Sequence, residues 1–266
     1  MRYDLGFIGA GNMAEAIARG AIRQGVVEAA RMVAADPSDE RLNVFRSFGV
    51  EAAVDNAGLV NAADTVMLAV KPQTLPSLAD ALAGIEIERH VVVSIMAGAS
   101  CAKIEAAIGK PARVVRVMPN TPLMVGRGMA GVAMGPSARP GDDELAMRLF
   151  GACGEAVRVD ESDLDAVTAV SGSGPAYVFY LAEAMQAAAD ELGLSDNARR
   201  LVNQTVLGSA ELLTQSQDTP AELRRKVTSP GGTTAAAINH LDEHRVKDTI
   251  VAALRAARGR SVELGA

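Results

Sequence analysis

Along the first 160 residues, short apolar runs alternate with stretches whose apolar positions recur every three or four residues. The runs YDLGFIG (3–9), RMVAAD (31–36), DTVMLAVKP (64–72), HVVVSIMAG (90–98) and ARVVRVMPN (112–120) are bounded by turn formers and read as strands. GMAGVAMG (128–135) and AVRVD (156–160) read as the last strands. Between the first two runs, NMAEAIARGAIRQG (12–25) puts Met13, Ile17, Ala21 and Ile22 on one helical face, with Gly25 in the C-cap position. DERLNVFRSFG (39–49) is a second helix, also closed by glycine. The strand interiors are almost continuously apolar, which predicts a parallel, doubly wound sheet covered by helices on both faces.

Beyond Leu164 the strand signal disappears. AYVFYLAEAMQAAADELG (176–193) carries Val178, Leu181, Met185 and Leu192 at helical spacing. NARRLVNQTVLGSAELL (197–213) does the same with Leu201, Val202, Val206 and Leu213, and a final helix spans about 245–263. The expected organisation is an α/β domain over residues 1–161 and an all-helical domain over 162–266. YVFYL (177–181) is apolar or aromatic at successive positions, and a helix apolar all round must be covered all round. This predicts a dimer through the helical domains; a central helix in a monomeric bundle is the alternative.

Composition narrows the function classes. The net charge is −6, Trp is absent and aromatics are 3%, which argues against a nucleic-acid surface or base-stacking platform. The two cysteines, Cys101 and Cys153, fit neither a disulfide framework nor a metal motif. No signal peptide and no long apolar run is evident, so the expectation is a soluble cytoplasmic protein, without membrane, metal or nucleic acid.

Gly9, Gly11 and Ala14 form G-x-G-x-x-A between a strand and a helix, the context of a Rossmann-type dinucleotide site. The first glycine permits the turn, the second lets a pyrophosphate approach, and the helix N-terminus offers free N–H groups. At the end of the second strand, Asp36 suits the free ribose of NAD, whereas Ser38 and Arg41 suit a 2′-phosphate. Asp36 or Ser38 as a helix cap is a further alternative. AVKP (69–72) and MPNTP (118–122) end strands where ligands sit in open α/β sheets. This makes Ala69, Lys71, Asn120 and Thr121 candidate contacts, with plain structural turns as the other reading.

A dinucleotide domain followed by helices suggests hydride transfer. Carbonyl reduction calls for a Lys, His or Tyr acid, yet residues 159–198 contain no Lys, Arg or His. This counts against a hydroxyacid dehydrogenase of related layout. Imine reduction asks less, because the nitrogen is readily protonated in water. The stretch Ser229-Pro230-Gly231-Gly232-Thr233-Thr234 interrupts helical sequence with glycines and hydroxyls. Converging N–H groups and hydroxyls there suit a carboxylate, and a helix corner capped by Ser or Thr is the alternative. A dinucleotide-binding sensor without catalysis would not need this loop.

FIGAGNMAEAI, LAVKPQ, RVMPNTP, SGSGPAYVF and VTSPGGTT, in this order and spacing, strongly resemble pyrroline-5-carboxylate reductase over nearly the whole chain. The last two are far more specific than the glycine fingerprint. The resemblance implies hydride transfer to the C=N carbon of 1-pyrroline-5-carboxylate, giving L-proline in the final step of proline biosynthesis. The implied cofactor is NADPH, with NADH left open. The implied assembly is a homodimer, with a decamer left open. Carried over by residue, Gly9, Ala10, Gly11, Asn12 and Met13 hold the dinucleotide phosphates. Ser38 lies at the 2′-phosphate, Asn56 at the adenosine, Ala69 and Lys71 at the strand end, and Asn120 near the nicotinamide. Ser229, Gly231, Gly232 and Thr233 cradle the substrate carboxylate, and the catalytic Thr234 hydroxyl meets the ring nitrogen. An acidic residue in some members falls near Gln217 here, which argues against a carboxylate general acid in this chain.

Overall fold

The computed structural model describes residues 2–265. One sheet orders its strands β3-β2-β1-β4-β5-β6-β7-β8. The strands are β1 (Tyr3–Ile8), β2 (Met32–Ala35), β3 (Glu51–Ala52), β4 (Ala63–Leu68), β5 (Val91–Ser94), β6 (Arg113–Met118), β7 (Gly128–Met134) and β8 (Gly154–Arg158). The helices about this sheet are α1 (Asn12–Arg23), α2 (Asp39–Ser47), α3 (Asn56–Ala62), α4 (Ala79–Leu82), α5 (Cys101–Ile108), α6 (Glu144–Gly151) and α7 (Leu164–Val167).

Alternate residues of each strand feed two separate cores. Leu5, Phe7, Met32, Ala34, Met67, Val93 and Val115 pack on one face, while Ile8, Val33, Val66, Leu68, Val92 and Val114 pack on the other. Side chains alternate with period two, so a strand covered on both faces must be apolar throughout. The sheet departs from the all-parallel expectation at β7, which runs antiparallel to β6. Only residues 119–127 join them. A parallel crossover needs a dozen or more residues, so this link can only turn the chain back. The β3 edge strand carries two residues and leaves no periodic signal.

His90 precedes β5 and is fully buried. Its Nδ1 accepts the Glu86 N–H at 2.8 Å, so Nε2 carries the proton and donates to the Val60 carbonyl at 3.0 Å. Burial pushes its pKa below the usual histidine value. Unfolded chains take up a proton near pH 6.5, about the free imidazole value, before the folded chain does. Histidine therefore supports the fold above that pH, and its contribution is lost as pH falls through the lowered folded value. Urea midpoints should drop from about pH 7 to pH 5, and the drop should be shallower in His90→Gln. An equal drop in both would remove His90 from the acid response.

The chain forms two compact units. One runs through Ser173 and includes the segment from Ala257 onward; the other is Gly174–Ala256. The sequence boundary at 161/162 falls inside the first. The second contains α8 (Gly174–Glu191), α9 (Ser195–Gln215), α10 (Pro220–Lys226), α11 (Thr233–Glu243) and most of α12 (Val246–Gly265). Helices α8 and α9 pack together. Within this unit the buried apolar residues are small in number and size: Ala189, Ala198 and Val202 among the described residues. Val178, Leu181 and Leu192, which recur at helical spacing in the sequence, are exposed in the single chain, Leu192 at 77%. Their spacing was helical, but the single chain has no partner for that face. No helix among the described residues is long and apolar enough to cross a membrane.

Candidate active site

The glycine loop is shaped by its neighbours. Gly9 has φ +98°, and a Cβ there would lie 2.6 Å from the Ala69 carbonyl oxygen. Its N–H donates to the Ala35 carbonyl at 2.8 Å. Gly11 ends the loop as the N-cap of α1, with no side chain capping the helix. A Cβ on Gly11 would meet nothing within 4 Å. The space above it and the uncapped N-terminal amides of α1 fit a pyrophosphate, by close backbone approach and by the helix dipole.

The end of β2 is tied into this loop. The Asp36 carboxylate accepts the Ala10 N–H at 2.7 Å and the Ser38 N–H at 2.8 Å. Ser38 caps α2 by accepting the Arg41 N–H at 3.3 Å, so the capping alternative holds for this residue. Arg41 donates from Nε to the Ala10 carbonyl at 2.7 Å and from Nη2 to Glu15 at 2.8 Å. Burial raises the Glu15 pKa, but hydrogen bonds from Arg41 and Arg19 outweigh it and hold the carboxyl below its usual range. Charges proposed for cofactor selection thus also brace the phosphate loop.

Beyond the strand ends lies a cleft of about 410 Å³. Its walls are Met13 from α1, Ala69, Val70, Lys71 and Pro72 after β4, Ile95, Met96 and Ala97 after β5, and Met118, Pro119, Asn120 and Thr121 after β6, with Gly172. Met13, Ala69, Lys71, Asn120 and Thr121 were named from sequence; Ile95, Met96 and Ala97 were not. The rule that ligands sit at the carboxyl ends of strands would have found them. Gly9, Ala10, Gly11, Asn12, Ser38 and Asn56 do not line this cleft. Asn56 opens α3, behind its Asp55 cap.

Asn120 is almost fully engaged. Its Nδ2 donates to the Ser171 carbonyl and hydroxyl, both at 3.2 Å, and its Oδ1 accepts the Met129 N–H at 2.9 Å. Ser171 lies in a wide helical turn closed by the Ser173 N–H to the Thr168 carbonyl, 2.8 Å. Such five-residue turns recur at functional sites. Asn120 therefore fastens the SGSG segment to the end of β6.

In the second unit, the loop before α11 is a type II turn. The Gly232 N–H donates to the Ser229 carbonyl at 3.1 Å, with Pro230 and then Gly231 at φ +69° between them. A Cβ on Gly232 would lie 2.8 Å from the Ser229 hydroxyl. Gly232 is the α11 N-cap, and no side chain caps the helix. The Ser or Thr capping alternative fails here. The hydroxyls of Ser229, Thr233 and Thr234 make no hydrogen bond to a described residue. Amides and hydroxyls together form a donor set without an acceptor, which suits a carboxylate. Gln217 precedes Asp218, whose carboxyl is held below its usual range by hydrogen bonds from Lys226 and Ser216.

A family model described as "Pyrroline-5-carboxylate reductase dimerisation" matches residues 161–264. One described as "NADP oxidoreductase coenzyme F420-dependent" matches residues 4–98. The pyrroline-5-carboxylate reductase of Pseudomonas aeruginosa is 44% identical over 263 residues, covering 98% of this chain and 96% of that protein. The chain belongs to the pyrroline-5-carboxylate reductase family. The member from Glycine max is 40% identical over 98% of this chain and 96% of its own length. A solved pyrroline-5-carboxylate reductase from Coxiella burnetii has a TM-score of 0.89 at 37% identity, covering 100% of both chains. The Plasmodium falciparum enzyme, solved with NADP bound, has a TM-score of 0.85 at 29% identity, covering 99% of this chain and 98% of that one. In a pyrroline-5-carboxylate reductase the uncovered apolar face of α8 falls within the segment matched as a dimerisation domain.

Proposed function

We propose that the chain reduces 1-pyrroline-5-carboxylate to L-proline with NADPH, as the last step of proline biosynthesis, and works as a cytoplasmic homodimer. The supporting observation is that one chain, related over its length to these reductases, carries two uncapped donor sets, at Gly11 and at Gly232. Functionally it divides into a nucleotide-binding part, 1–161, and a substrate-binding and dimerisation part, 162–266.

When bound, the reduced nicotinamide supplies the hydride. Gly9 and Ala10, whose own N–H groups are spent on Ala35 and Asp36, shape the phosphate loop, and Gly11, Asn12 and Met13 offer their backbone N–H groups to the phosphates. Ser38 and Asn56 serve the adenosine side, and Ala69, Lys71 and Asn120 the nicotinamide side. Ser229, Gly231, Gly232 and Thr233 hold the substrate carboxylate. Thr234 presents its hydroxyl to the ring nitrogen and orients the C=N bond. The nitrogen arrives protonated from water, so the chain needs no lysine or histidine acid.

The test is a steady-state assay with the five-membered imine acid, run in parallel with NADPH and NADH. Turnover with NADPH is expected, and none with either cofactor would refute the assignment. Thr234→Ala should lower kcat by about tenfold, the worth of a hydrogen bond near 1.4 kcal/mol, with little change in NADPH binding. Undiminished kcat would remove Thr234 from the mechanism.

A further inference from the structure

We propose that a second pocket, in the first unit, binds a small α-amino acid as its zwitterion. The pocket has a volume of about 270 Å³ and is lined by Gly98, Ser100, Arg116, Asp165, Val262 and Gly265. All of these lie in the first unit, and none lines the cleft described above. The volume is smaller than that of drug-sized sites, so the occupant is small.

Arg116 sits on β6 and is only 8% exposed. Its guanidinium has one protein contact, from Nη1 to Glu161 at 3.5 Å. Glu161 is itself held by the Cys101 N–H at 2.7 Å. A guanidinium offers five N–H donors, so Arg116 is under-satisfied for its burial. Those donors remain reachable, because the sealed, unpartnered side-chain nitrogen among the described residues belongs to Arg89.

Asp165 supplies the opposite charge. One of its oxygens accepts the Ser261 hydroxyl at 2.6 Å, which fixes the carboxylate in place. The salt bridge made by Arg116 is to Glu161 and not to Asp165. An arginine and an aspartate that line one pocket without pairing leave room for a molecule bearing both charges. Helix ends add the same polarity. The positive end of α5 begins after Ser100, and the negative end of α12 lies at Gly265.

The α-carboxylate therefore pairs with Arg116 and the ammonium with Asp165, while Gly98 and Val262 offer apolar wall to the side chain. A bare anion such as phosphate fits worse, because Glu161 already partly neutralises Arg116 and Asp165 adds a second negative charge to the pocket lining. Residues 98–100 follow directly on Ile95, Met96 and Ala97 of the cleft wall, so occupancy is felt as a change in the KM for NADPH. That consequence rests on the reductase reading; binding itself does not.

The test is equilibrium dialysis of the whole protein with radiolabelled L-proline, comparing wild type with Asp165→Asn and Val262→Phe. Asp165→Asn removes the charge but keeps an acceptor for Ser261, and Val262→Phe fills the pocket from its rim. Wild type should bind one more equivalent per chain than either variant, or bind it about tenfold more tightly. Excess inorganic phosphate should not displace it. Turnover without added amino acid should be unchanged in both variants. Equal binding by all three proteins overturns the site, and displacement by phosphate overturns the zwitterion assignment. A failed imine assay would refute the reductase reading and leave this result standing.

Discussion

Gly9→Ala loses both thermal stability and NADPH binding. The backbone at Gly9 has φ +98°, and the added methyl would lie 2.6 Å from the Ala69 carbonyl oxygen. The left-handed conformation costs an L-residue about 1–2 kcal/mol, and relieving the overlap costs about 1–3 kcal/mol more. Ala69 cannot retreat cheaply, because its own N–H is tied to the Ile8 carbonyl at 2.9 Å. The loop must therefore open. The expected outcome is a fall of several degrees in Tm and an NADPH KM raised by about a hundredfold. Gly11→Ala is the control that separates fold from ligand. Gly11 has φ −69°, and its Cβ would meet no protein atom. That variant should keep the wild-type Tm and still bind NADPH poorly. If Gly11→Ala binds NADPH normally, the phosphate does not sit over this loop.

Leu181→Glu dissolves the assembly. In the single chain Leu181 is 57% exposed and Phe179 and Tyr180 beside it are exposed as well, so a surface charge would change stability little. If a second copy covers α8, the same substitution buries an unpaired carboxylate, at a cost of about 3–5 kcal/mol. Association then weakens by two orders of magnitude or more, on the scale of about 1.4 kcal/mol per tenfold. Sedimentation should show monomer for the variant and a larger species for the parent. Thermal stability should fall too, because Ala189, Ala198 and Val202 make too small a core for the helical unit. An unchanged mass and Tm would mean that α8 faces solvent.

The strands from Tyr3 onward were legible because burial on both faces writes a continuous apolar run. Glu51–Ala52 was not, because two residues carry no period. The direction of β7 was implicit in the short link after Pro119 but needed the sheet to make it plain. Among candidate contacts, Ala69, Lys71, Asn120 and Thr121 were found by their places after strands and Met13 by the family resemblance, and the cleft brings them together. Ile95, Met96 and Ala97 were passed over because they carry no polar signal; their position alone qualifies them. The helical stripe through Val178, Leu181 and Leu192 was legible as spacing, but these residues are exposed in the single chain, which has nothing to bury them against.

Local chemistry decided the elements and the two glycine turns. Positive φ at Gly9 and Gly231, the Pro230 turn and the strand periodicity are properties of neighbouring residues, and they are written within a few positions. Tertiary structure decided how the polar groups are spent. Asp36 reaches Ala10 across 26 positions, and Arg41 reaches the same residue across 31. Asn120 fastens Ser171 across 51. A side chain that reads as a cofactor contact in sequence becomes a brace once the fold sets a backbone amide or carbonyl beside it. Hydrogen bonds are formed by distance in space, and no pattern along the chain records which distant groups will meet.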